Sequence, residues 1–259
     1  MGNRPVSFCY RAAFLAMAGA SYPSTRTSGT IPAMEKSANS FRIYLVRHGE
    51  TEWNRDGRWQ GHADVLLNAA GRAQAARLAR RLVETGMRFD RLYSSDLRRA
   101  WETAERIGGA LGLRPVAAPP LREIDLGAWA GKTREEIARA FPEEWSHLQT
   151  GEDFPRGGGE SFAVFQRRVL DWLEGAARDR DGRTVCAVTH GGCIRAILLH
   201  ALGLQWGDRR EIPAIRNASI SILDREPGGW HIVTMNATAE SSAGGEETPE
   251  YGGQEGENS

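Results

Sequence analysis

FRIYLVRHGETEWN, residues 41–54, sets an apolar run directly against a charged cluster. Ile43 to Val46 is short, aliphatic and β-branched, the composition of a strand buried on both faces inside a parallel sheet. Arg47, His48 and Gly49 follow at once. In an open α/β sheet, ligands sit at the carboxyl ends of strands near the switch in strand order, so an Arg-His-Gly there is placed for chemistry. Gly49 lets the backbone turn away and leaves the imidazole uncovered. Taken alone, the triplet reads equally as a satisfied surface histidine beside an arginine. A second stretch bears on the choice: Thr184 to Val188 is as apolar as the first strand and runs into Thr189-His190-Gly191-Gly192. Two unrelated core histidines would not need that shared context.

The chain between and after these strands alternates in period. Asn68 is a helix cap, and Ala69 to Thr85 sets Ala73, Ala76, Leu78, Leu82 and Val83 largely on one face. Phe89 to Tyr93 reads as a strand, with Ser94-Ser95-Asp96 capping a helix from Leu97 to about Leu111. Leu113 to Val116 is expected as a strand, after which Pro119-Pro120 forces an extended path into Leu121-Arg122-Glu123. Thr133 and Glu136 form a capping box for a short helix ending near Phe141. Ser161 to Ala177 is amphipathic, with Phe162, Phe165, Val169, Leu170 and Leu173 facing a core. Ile194 to Leu202 reads as a helix, and strands near Ser219–Leu223 and Trp230–Thr234 are joined by the turn at Pro227-Gly228-Gly229. This order predicts an α/β sandwich with a mostly parallel sheet.

At 259 residues and 41% hydrophobic content the chain can bury a sizeable core. Lys+Arg and Asp+Glu are both 33, with no basic stripe, which argues against nucleic acid or an anionic membrane as partner. No stretch approaches the ~20 apolar residues of a membrane span. Cys9, Cys186 and Cys193 are sparse and lack metal spacing, as expected of reduced thiols in a cytoplasmic protein. Residues 1–40 read as a disordered extension. Ala12 to Ala20 is a poor match to a signal peptide, broken by Gly19, and Met34 just upstream of the first strand is compatible with a misplaced start codon. The ordered domain is expected over 41–236. Residues 237–259, rich in Gly, Glu and Ser, read as a disordered acidic tail.

A phosphoryl group carries up to about two negative charges near neutral pH and several acceptor oxygens, so its transfer needs cations around it. Arg47 and Arg99 can each offer a planar fork to those oxygens, and His190 a further hydrogen bond. His48 is then free to attack, provided its other nitrogen is held as a donor, for instance by a backbone carbonyl in the turn at Gly49. A carboxylic acid can protonate the leaving alkoxide and afterwards activate water; Glu123 is the candidate. Arg47-His48-Gly49-Glu50-Thr51 with Trp53-Asn54, Ser95-Asp96-Leu97-Arg98-Arg99-Ala100, Leu121-Arg122-Glu123 and Thr189-His190-Gly191-Gly192 together resemble the histidine phosphatase, or phosphoglycerate mutase-like, superfamily over roughly Phe41 to Thr234. The resemblance implies a three-layer α/β/α sandwich needing no metal or other cofactor. It implies His48 as the phosphorylated nucleophile, Arg47, Arg99 and His190 as phosphoryl ligands, and Glu123 as proton donor and acceptor. The family pattern sets the ligand arginine immediately before alanine, which selects Arg99 over Arg98. Asn54, Gln60, Gly61 and Gly191 align with positions lining the phosphate pocket.

Other motifs carry less. Gly127 to Thr133 nearly spells a P-loop but has three residues between its glycines, where the motif has four. His62 with Asp64, and His48 with Glu50 and Glu52, lack four firm metal ligands. Cys193 reads as a small residue opening a helix, and Glu50 and Glu160 as structural acceptors of backbone amides. Trp129 reads either as pocket wall or as packing, and Trp129, Phe141, Trp145 and Phe154 are available to a leaving group. Mutases of the superfamily carry a longer insertion between the acid and the second histidine; its absence here favours a phosphatase acting on a small phosphorylated metabolite. The alternatives are a phosphoglycerate mutase and a silent phosphoryl-binding module.

Overall fold

A strand whose residues are buried on both sides must lie inside a sheet with a layer on each face. Phe41 to Val46 are all buried. In the computed structural model, which describes residues 41–179 and 183–239, this strand is near the centre of a six-stranded sheet. The strands are β1 (Phe41–Arg47), β2 (Arg91–Ser94), β3 (Pro115–Ala117), β4 (Thr184–Thr189), β5 (Ile220–Glu226) and β6 (Gly229–Ala237), in the order β3-β2-β4-β1-β5-β6. The first four in that order run parallel; β5 and β6 turn back antiparallel.

Side chains alternate faces along a strand, and here each face builds its own core. Ile43 and Leu45 of β1, with Val185 and Ala187 of β4, point to one side. There they meet Phe165, Val169 and Leu173 of α6 (Phe162–Arg178) and Ile194 and Ile197 of α7 (Gly191–Ala201). Tyr44 and Val46, with Cys186 and Val188, point to the other. They meet Leu78 and Leu82 of α2 (Ala69–Glu84) and Ala100, Ala104 and Ile107 of α3 (Arg98–Leu111). The result is a three-layer α/β/α sandwich. Each fully buried Leu or Ile contributes roughly 1.5–3 kcal/mol and a helix cap about 1 kcal/mol, so the two cores hold the layers and the caps set where helices begin. Asn68 accepts from Gly71 N at 2.7 Å to open α2, Ser161 accepts from Val164 N at 3.3 Å to open α6, and Thr133 and Glu136 close a reciprocal capping box on α4 (Arg134–Ala140).

Several boundaries differ from the sequence expectation. Residues 52–55 form a short helix, α1 (Glu52–Arg55), capped by Thr51, where a loop was expected from Arg55. Leu113 is not in a strand: Gly112 adopts φ 70° and Leu113 N bonds Gly108 O at 2.9 Å, which terminates α3 and delays β3 to Pro115. α3 itself starts at Arg98 with Leu97 at its cap and no side-chain cap bond. α7 starts at Gly191, three residues earlier than expected, and Val83, expected in the core, is 49% exposed. Ala237 pairs with Ile220, so the strand takes the first residue assigned to the tail. The expected extension 1–40, Cys9 and the rest of the tail beyond 239 lie outside the described residues. No helix among the described residues is long and apolar enough to cross a membrane.

Candidate active site

Parallel pairing of β1 with β4 fixes the heart of the site. The register matches Arg47 with Thr189, so the residues that leave the two strands next, His48 and His190, emerge side by side. Their ring centroids are 5.1 Å apart. His48 Nδ1 lies 2.7 Å from Gly49 O. A carbonyl only accepts, so Nδ1 carries the proton and Nε2 keeps its lone pair. Burial, reinforced by the positive charges of Arg99 and Arg47, holds His48 well below the ordinary imidazole range against the opposing pull of the Gly49 carbonyl. The ring is neutral at neutral pH. Gly49 is confined by contact: a Cβ there would come within 2.4 Å of Gly71 O, at the start of α2. Asn217 Nδ2 bonds His48 O at 3.0 Å and Asn54 Oδ1 at 3.2 Å, tying the His48 turn to α1.

His190 differs from the sequence expectation. Arg99 Nε donates to its Nδ1 at 3.2 Å, which leaves the ring proton on Nε2, 2.8 Å from Ser95 Oγ. Burial, with Arg99 adding, lowers its pKa as well. Both nitrogens are engaged and the ring is wholly buried, so in this state His190 holds Arg99 and offers no N–H to the cavity. Arg99, a donor only, fixes this tautomer, and Ser95, expected as part of a helix cap, is the partner of Nε2. Arg99 is also fully buried, donating to Gly61 O at 2.8 Å and Ala63 O at 2.6 Å. Burial lowers its pKa to about 10, with Glu123 opposing and Arg47 adding, so it stays charged at neutral pH. Arg47 bonds the Ile215 carbonyl. Arg98 is exposed.

Glu123 stands opposite, its Oε1 accepting from Ile124 N at 3.0 Å and its Oε2 from Gly192 N at 3.0 Å. A Cβ on Gly192 would sit 2.0 Å from Oε1, so only glycine admits the carboxylate here. The backbone beneath Glu123 is clamped. Arg168 donates to Pro120 O at 2.7 Å and Arg122 O at 3.1 Å while making a two-point pair with Glu160 at 2.6 and 2.9 Å. Glu160 also accepts from Asp125 N at 2.9 Å, the structural role expected of it. Glu50 accepts from the Asn68 side chain at 2.7 Å, so it serves a cap through its amide side chain and not through a backbone N–H. His62 and Asp64 are committed to Glu123 O and Arg98 N. Cys193 bonds backbone carbonyls, and burial raises its thiol far from thiolate formation.

These groups open into a cavity of about 630 Å³ lined by Arg47, His48, Asn54, Gln60, Gly61, Arg99 and Glu123 among others. The family model for the histidine phosphatase superfamily (branch 1) matches residues 43–238. The chain belongs to the histidine phosphatase superfamily. Phosphoglycerate mutase-like protein 4 of Arabidopsis thaliana is 39% identical over 185 residues, covering 70% of this chain and 78% of that one. The metal-independent phosphoserine phosphatase of the same plant is 36% identical over 207 residues, 78% of this chain and 84% of that one. A mycobacterial glucosyl-3-phosphoglycerate phosphatase structure superposes with TM-score 0.67 at 31% identity, covering 77% of this chain and all of that one. Membership supports a histidine-phosphatase-type hydrolase.

Within that family site, some expectations fail. Gly191 packs beside Arg47, a Cβ there lying 3.5 Å from Nε, and Gly192 takes its place on the cavity wall. Trp129 is fully buried against Trp59, Phe141 and Phe154. Trp129, Phe141, Trp145 and Phe154 do not line the cavity: they are the apolar prop behind it. For Trp129 the packing alternative holds; the wall is made by arginines, including Arg134, Arg156, Arg195 and Arg209, together with Trp59, Trp206 and aliphatic side chains. Arg168 and Asn217 were likewise unread, since each acts across the fold with no local motif to mark it.

Proposed function

We propose that the protein is a phosphomonoester hydrolase working through a phosphohistidine on His48, with a small phosphorylated metabolite as substrate. The observation that carries this is the neutral His48 ring, pinned through Nδ1 to Gly49 O, beside Arg47 and the buried Arg99. Nε2 attacks phosphorus as the bond to the leaving oxygen breaks, and the two guanidinia hold the oxygens of the transferring group. Protonated Glu123 gives its proton to the leaving oxygen. As carboxylate it then takes a proton from water, whose oxygen attacks phosphorus, breaking the P–N bond and releasing phosphate. His190 positions Arg99; a direct bond from His190 to the phosphoryl group would require Nε2 to leave Ser95. No step calls on a metal.

Two features support hydrolysis over exchange. Between Glu123 and His190 the described residues hold two short 3-10 turns, α4, α5 (Pro142–Thr150), α6 and strand β4, with no added segment to shut water out. Among the relatives, one at 36% identity is named a phosphatase. The mutase reading is kept because another, at 39%, is named mutase-like. The test is phosphate release from p-nitrophenyl phosphate with a chelator present, beside conversion of 3-phosphoglycerate to its 2-isomer. Hydrolysis without isomer formation, lost in His48→Ala together with an acid-labile phosphoenzyme, is expected. Turnover surviving in His48→Ala would remove the nucleophile assignment, and isomer formation outrunning hydrolysis would make the protein a mutase.

A further inference from the structure

The cavity is far larger than one phosphoryl group needs, and its charge is lopsided. Among the described residues eight arginines line it and one carboxylate, Glu123. Arg47 and Arg99 serve the phosphoryl end. Arg58 is paired with Glu136 at 2.9 Å. Another set comes from unrelated elements: Arg156 from a 3-10 turn, Arg195 from α7, and Arg209 from the turn over residues 206–211. Arg156 and Arg209 both lie on Trp206, at 4.7 and 4.6 Å from the ring centroid.

Arg156 is the unusual member. It is 2% exposed, yet its Nε and Nη2 have no hydrogen-bond partner, and neither does the buried Nε of Arg195. Burial lowers the Arg156 pKa to about 10, with Asp153 opposing and Arg209 adding, so the cation persists at neutral pH. Asp153 offsets part of that charge from a distance, but its oxygens accept from Phe162 N at 2.6 Å and Ala163 N at 2.9 Å and leave the Arg156 donors unmet. Buried donors are almost always paired, and a buried unpaired charge is costly. Arg195 Nη2 and both terminal nitrogens of Arg209 reach backbone carbonyls, so the unmet donors are those of Arg156 and Arg195 Nε, and like charges with unmet buried donors on a cavity wall are suited to hold an anion.

We propose that Arg156 and Arg195, backed by Arg209, form a second anion site, so that the substrate's leaving group carries its own carboxylate or phosphate. This rests on the hydrolase reading for what becomes of the ligand, but the anion site can be tested without turnover. Three esters of matched length serve as probes: propyl phosphate, the phosphate ester of hydroxypropionate, and propanediol bisphosphate. Their binding to the full-length His48→Ala protein is measured by calorimetry, and phosphate release from the same three by the wild type is followed separately.

One or both doubly anionic esters should bind about tenfold or more tightly than propyl phosphate, the worth of one charge-assisted bond to a desolvated guanidinium. Which of the two gains tells carboxylate from phosphate. Adding Arg156→Met, or Arg195→Met should the first variant fail to fold, should erase that ratio. Equal binding of all three esters, or a ratio untouched by both replacements, would overturn the second site. Selective binding with no phosphate released by the wild type would instead leave the site standing and sink hydrolysis.

Discussion

Gly192→Ala separates the chemistry of Glu123 from its packing. The new Cβ would stand 2.0 Å from Oε1, where Cβ contacts below 3.0 Å essentially never occur, so the carboxylate must retreat by about 1 Å or swing to another rotamer. It is the end of a flexible side chain, and the backbone need not move. The stability cost is one amide-to-carboxylate bond, about 1.5–3 kcal/mol, offset by about 1 kcal/mol from alanine replacing glycine in a helix. The net of roughly 0.5–2 kcal/mol lowers Tm by a few degrees at this size. A misplaced general acid costs about 10²–10⁴ in rate. The assay pairs an alkyl phosphate, whose alkoxide needs a proton to leave, with p-nitrophenyl phosphate, whose nitrophenolate does not. For the alkyl ester, phosphoenzyme formation should slow by about 10² or more. For the aryl ester a burst of nitrophenolate should survive, followed by slow turnover, because water still lacks its base. Unchanged turnover of both esters, or a burst slowed as much as the alkyl reaction, would refute Glu123 as proton donor.

Two further outcomes concern stability. Burial lowers the pKa of both His48 and His190 from 6.5, so below that value the unfolded chain takes up two protons that the folded one does not. Urea unfolding in phosphate-free buffer should therefore show stability falling as pH drops from 6.5, with a slope approaching about 2.7 kcal/mol per pH unit; a flat profile there would mean that the histidines are charged in the folded protein. Arg42 and Asp224 form a buried two-point pair at 2.6 and 2.7 Å, which raises the Arg42 pKa, chiefly through the Asp224 bond and against burial. Asp224→Ala, by stranding the guanidinium, should cost about 3–5 kcal/mol, and a loss below about 1 kcal/mol would show the pair to be solvated.

What could be read in the sequence was what neighbouring residues decide among themselves. Ile43 to Val46 and Thr184 to Val188 announced buried strands by composition, and Asn68, Thr133 with Glu136, and Ser161 announced helix starts by capping chemistry. Because both strands are followed at once by a histidine, the centre of the site was legible too, down to the Gly49 carbonyl beneath His48. The reading failed where a side chain's partner comes from elsewhere in the fold. Ser95 looked like a cap because serine before a helix usually is one; that it faces His190 depends on β2 lying next to β4. Trp129 reads equally as pocket wall or packing, and only its burial against Trp59, Phe141 and Phe154 decides for packing; the indoles that line the cavity are those of Trp59 and Trp206. The arginines that do line it sit on separate turns and helices with no common spacing, and in a chain this rich in arginine none stands out.

The strand order has a kinetic corollary. β4 lies between β2 and β1, although the chain makes it after both. Until Thr184–Thr189 has been synthesised, β1 and β2 have no shared neighbour, and each carries an open edge of the kind that invites pairing with other chains. Closing so long a loop is slow. The same event that completes the parallel sheet delivers His190 to Arg99 and sets Gly192 against Glu123. Refolding should therefore regain the sheet and the assembled centre in a single late phase.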